Sequence, residues 1–75
     1  MPRVEAAHLR AAATHDRAAV LHDRAAELFD GLGLHFLARE ERALARCDRD
    51  GAAADRERAR LCRERDAVRS EMRNT

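Results

Sequence analysis

His8, His15 and His22 recur every seven residues in the first third of a 75-residue chain, and Glu41, Asp48 and Asp55 recur at the same interval further on. An imidazole beside a carboxylate can help to hold a metal, respond to pH, or lock two pieces of backbone together. Seven residues are close to two helical turns, so each series lines up along one side of a helix. If the chain folds back near Gly31, His22 meets Glu41, His15 meets Asp48 and His8 meets Asp55. The residue numbers of each pair add to 63, and a constant sum is what antiparallel pairing of two straight helices requires. The spacing therefore predicts a ladder of imidazole–carboxylate contacts that orients the imidazoles and fixes the register of a helical hairpin. A pH-dependent hairpin is the corollary, because histidine changes charge near neutrality.

The alternative chemistry is metal binding. One rung offers one imidazole and one carboxylate, and rungs about 10.5 Å apart cannot share an ion. Two hairpins meeting about an axis would double the set in each layer, giving donors suited to zinc or iron. Glu5-x-x-His8 also has the spacing used by di-iron bundles, with Asp55 or Glu57 as further carboxylates. The metal candidates are therefore His8, His15, His22, Glu41, Asp48, Asp55 and Glu5. His35 follows the turn, stands outside the ladder, and is expected partly exposed in the first turn of the second helix.

Other constellations are excluded. Asp48-Arg49-Asp50-Gly51 imitates part of a calcium loop, but aligning Gly51 with the loop glycine puts Arg46 where the first Asp ligand is required. Cys47 and Cys62 lie about 22 Å apart by helical rise, too far for a zinc knuckle or a redox pair. They are expected to be reduced, small core residues, with Cys47 on the core side. No Ser/His/Asp set, phosphate-cradling glycine loop or nucleotide fingerprint is present, so neither catalysis nor an organic cofactor is expected.

Positioning such a ladder takes two long helices, and the composition supplies little else. The chain is 45% hydrophobic and 39% charged, with one Pro, three Gly and neither Trp nor Tyr. Helix formers dominate, so the class is all-α. All fifteen cations are Arg, a coding bias that suggests a high-GC bacterium.

A first helix is predicted over about 3–30. Its frame places Val4, Ala11, Ala18 and Ala25 in one row, Ala7, Thr14, Leu21 and Leu28 in a second, and the histidines in a third. Ala12, Ala19 and Ala26 widen this stripe to roughly 160°, enough for more than one neighbour. Gly31 is expected to take the left-handed conformation that ends the helix, with Leu32 folding back as the apolar contact.

A second helix is predicted over about 34–72. Leu37, Leu44 and Gly51 form one row and Cys47, Ala54, Leu61 and Val68 another, with Ala38, Ala45, Ala52 and Ala59 flanking them. Gly51 is a weak point where the helix could kink. In the same register Arg3 faces Arg60, so 61–75 overhangs a single hairpin domain spanning 1–75.

The overhang carries Leu61, Val68 and Met72 at helical spacing among charges, and an apolar stripe with nothing to bury it asks for another molecule. A chain this short also buries too little surface to be comfortable alone. Two hairpins forming a coiled-coil-like four-helix bundle, a homodimer, answer both needs. The expected function is a non-catalytic interaction or assembly module that presents its C-terminal helix to itself or to a protein partner. The second reading is a zinc- or iron-binding bundle. The third is a nucleic-acid-associated regulator using the Arg-rich segment from Arg56 to Arg73. A net charge of +1 and the absence of an aromatic residue in that segment make nucleic acid the weakest partner. No apolar run approaches a membrane span and no signal peptide is apparent, so the expected location is the cytoplasm.

Overall fold

A computed structural model describes residues 2–74; Met1 and Thr75, the two ends of the expected domain, lie outside the described residues. Helix α1 spans Pro2–Gly31 and helix α2 spans His35–Arg73, each end within one residue of the sequence expectation. They pack against one another as an antiparallel hairpin with principal extents of 65 × 14 × 10 Å. No strand occurs among the described residues.

The turn differs from the expected one by two residues. Gly31 is still helical, and it is Gly33 that takes the left-handed conformation, with φ of 76°. The Gly33 amide donates to the Asp30 carbonyl at 3.0 Å, and the Leu34 amide donates to the Phe29 carbonyl at 2.8 Å. These are the two bonds of a Schellman cap, in which the residue after the left-handed one folds back on the helix. That residue is Leu34, not Leu32; both side chains are exposed, Leu32 the more so. Continuing α1 through Gly31 leaves the Phe29 carbonyl, one heptad beyond His22, to accept from the Leu34 amide.

The seam also corrects the sequence reading. The alanine rows expected to flank the contact are the contact. Ala12, Ala19 and Ala26 of α1 and Ala38, Ala45, Ala52 and Ala59 of α2 are each no more than 1% exposed. The leucine rows that they were expected to flank lie outside it: Leu21, Leu28, Leu37 and Leu44 are all exposed. Alanine presents a single methyl group, so two helices can approach with their backbones close only along an alanine row. Leucines there would hold them apart. Cys47 belongs to the outward set and is exposed, against the expectation of a core position, whereas Cys62 is buried; both are free thiols.

Gly51 does not break α2, which runs without interruption through it. A methyl group added at Gly51 would stand 3.1–3.2 Å from the ring of His15. The glycine therefore leaves room for an imidazole of the other helix. Pairing between the helices also continues further than the predicted Arg60. Cys62 is buried, and Arg63 Nη1 donates to Glu5 Oε1 at 3.1 Å. Helix α2 continues past it to Arg73, and Leu61, Val68 and Met72 are all at least half exposed.

Candidate interaction surface and its histidine–carboxylate ladder

Each ladder residue is placed by the alanine seam. His15 and His22 stand three residues after Ala12 and Ala19, and Glu41, Asp48 and Asp55 stand three after Ala38, Ala45 and Ala52. In an antiparallel pair equivalent offsets from the contact row fall on the same flank, so the two series share one side of the hairpin. His22 Nδ1 lies 2.6 Å from Glu41 Oε2, His15 Nδ1 lies 2.8 Å from Asp48 Oδ1, and His8 Nδ1 lies 3.6 Å from Asp55 Oδ1. The first two are hydrogen bonds; the third is too long to be one.

The rungs are also linked to each other. His22 Nε2 lies 3.5 Å from Asp48 Oδ2, and His15 Nε2 lies 3.8 Å from Asp55 Oδ2. The result is an alternating chain, Glu41–His22–Asp48–His15–Asp55–His8, running along the groove. A ring with a carboxylate oxygen at both nitrogens can donate to both only as an imidazolium. Arg58 Nη1 donates to Asp55 Oδ1 at 3.0 Å and adds a cation at the open end. The chain is half buried, with Asp55 its most enclosed carboxylate.

The opposite flank carries a second column, which the sequence reading missed. Asp16 pairs with Arg56, Asp23 with Arg49 and Asp30 with Arg42, each through a charge-assisted hydrogen bond across the hairpin. The signal was available: these numbers add to 72 in every pair, just as the ladder numbers add to 63. Hydrogen bonding to Arg56 holds the Asp16 carboxyl below its ordinary range, and Arg42 followed by His35 does the same for Asp30. The His35 ring, exposed as expected, lies 2.8 Å from Asp30 Oδ1. Arg56 and Arg49 are correspondingly raised by Asp16 and Asp23.

Of the remaining metal candidates, Glu5 lies in the alanine row and accepts from Arg63, and Glu57 is exposed and bonded to Arg60. Neither joins the ladder. Among the described residues no group of three or more His, Cys, Asp and Glu is gathered closely enough to hold an ion.

Most of what borders the ladder is apolar, with Arg58 and Glu40 as charged members of the bordering α2 rows. On α1, Ala18 and Ala25 are i−4 and i+3 to His22, on the side away from the seam, with Leu21 and Leu28 beyond them. On α2, Leu37, Leu44 and Gly51 precede Glu41, Asp48 and Asp55 by four, with Cys47, Ala54, Leu61 and Val68 beyond. The ladder thus runs down the middle of a broad face whose leucines are exposed in the single hairpin. Among the described residues no helix is long and apolar enough to cross a membrane. No family model matches the chain, and neither a curated protein nor a solved structure is similar to it.

Proposed function

We propose that the chain is a non-catalytic assembly module: the hairpin associates with a second copy into a four-helix bundle and presents the projecting end of α2 for helix-against-helix recognition. One observation carries this reading. The seam buries alanines, while Val4, Leu21, Leu28, Leu37, Leu44, Leu61, Val68 and Met72 are all exposed. Burying one such side chain is worth about 1.5–3 kcal/mol, and no large side chain is fully buried among the described residues of the single hairpin. The ladder then specifies alignment, as polar groups inside helical interfaces can. Along the C-terminal part of α2, Leu61, Val68 and Met72 serve as anchors and the arginines as rim.

The test is truncation after Arg63, which keeps buried Cys62 and the Arg63–Glu5 bond, with mass in solution measured by light scattering at matched concentrations. The expected outcome is weaker self-association, together with a fall in helicity larger than the removed residues account for. A truncated chain that keeps its oligomeric state and its stability would remove the projecting segment from the function.

A further inference from the structure

We infer that the second copy docks on the ladder face with its turn at the same end as the first, about a two-fold axis parallel to the helices. This inference deepens the assembly reading above and depends on it. Two symmetric ways exist to lay one such face on another. With turns at the same end, α1 of each copy lies on α2 of the other. With turns at opposite ends, α1 lies on α1 and α2 on α2.

Charge separates the two. The outer edge of α1 is a row of Arg3, Arg10, Arg17 and Arg24, and the corresponding edge of α2 carries Asp50, Glu57 and Glu64 in one row with Glu40 beside it. Same-end docking sets the arginine edge along the acidic edge at both rims. An axis parallel to the helices keeps heights unchanged, so Arg10 stands level with Asp50 and Glu57 of the second copy and Arg24 with Glu40. Opposite-end docking sets arginine along arginine and acid along acid, an arrangement that like-charge repulsion disfavours.

Shape agrees. Same-end docking places the small row Ala11, Ala18 and Ala25 against the Gly51, Leu44 and Leu37 row of the second copy, level by level. Small faces large where the residues are large, and Ala11 meets Gly51 where the ladder's His15 needs the room. Both projecting α2 segments then emerge at one end, where the exposed Leu61 and Val68 of the two copies can close on each other.

The experiment uses the full chain carrying Ser70→Cys with Cys47→Ser and Cys62→Ala, spin-labelled at position 70. Mass is measured by light scattering and the label-to-label distance by pulsed electron resonance. Same-end docking predicts a dimer with labels within roughly 25 Å, the width of a bundle. A dimer with labels more than roughly 60 Å apart, the helical rise between opposite ends, overturns the docking mode but leaves self-association standing. A monomer, or another stoichiometry, overturns both. As a second measurement, Leu44→Arg is outside the alanine seam and should leave helicity intact while weakening the dimer roughly tenfold or more. Unchanged dimerisation in that variant would remove the ladder face as the interface.

Discussion

At the scale of single residues, the position that says most is a glycine. Glycine inside a helix ordinarily costs about 1 kcal/mol relative to alanine, so Gly51→Ala on an open helix surface would stabilise by about that much. Here the added methyl group meets His15 at 3.1–3.2 Å. That ring is not free to swing, because Asp48 holds its Nδ1 at 2.8 Å and Asp55 faces its Nε2 at 3.8 Å. Relieving the contact means loosening the ladder. The expected result is that Gly51→Ala gains little or loses stability in the parent chain, yet recovers the full gain of about 1 kcal/mol in a His15→Ala background. Guanidinium unfolding of the four chains at one fixed concentration checks it. Simple additivity would show that ring and glycine are independent, and the tight approach would then have no role in setting α2 against α1.

At the scale of elements, what distinguishes this hairpin is that the helices touch through methyl groups. Ala45 sits in the middle of that contact at 0% exposure. Ala45→Leu should therefore force the helices apart and cost about 1–3 kcal/mol, as overpacking does. Ala53→Leu, on the exposed side of the same helix, should stay within about 0.5 kcal/mol. Equal effects in urea denaturation would mean that the seam is looser than its burial indicates.

The same contrast explains what the sequence could and could not disclose. Two helices, the place of the turn and the antiparallel register follow from heptad spacing and a constant sum, which survive any choice of facing row. The facing row itself did not follow. Hydrophobicity counts leucine and alanine rows alike toward one apolar stripe, whereas close approach of backbones selects the smallest side chain. The left-handed residue was misplaced for a similar reason. Gly31 and Gly33 are equally able to end a helix, and the cap bonds to the Asp30 and Phe29 carbonyls are made from Gly33 and Leu34. The Asp–Arg column is hidden in the sequence because charges on a helix surface are ordinarily solvated and carry no register by themselves.

At the scale of the whole molecule, that column makes the fold sensitive to acid in a way that can be signed in advance. Asp16 and Asp30 have carboxyls held below the ordinary carboxylate value, chiefly by hydrogen bonds from Arg56 and Arg42. A carboxylate whose folded value is depressed contributes stability that is fully present above its unfolded value, near 3.9, and is lost as pH falls through the folded one. Both pairs tie α1 to α2, so the loss falls on the hairpin itself and not on either helix separately. The melting temperature of the full chain, followed by circular dichroism at one concentration, should thus decline from pH 5 toward pH 2. Asp16→Asn with Asp30→Asn should melt lower at pH 5 and lose less on acidification, since it has already forfeited those two contributions. The ladder carboxylates and Asp23 are retained in both chains, so the difference between the two curves isolates the altered pairs. High salt should narrow that difference, because exposed charges are screened. If the two curves run parallel at low salt, the Asp–Arg bonds do not brace the hairpin. The alanine seam and the histidine ladder would then hold α1 on α2 without them.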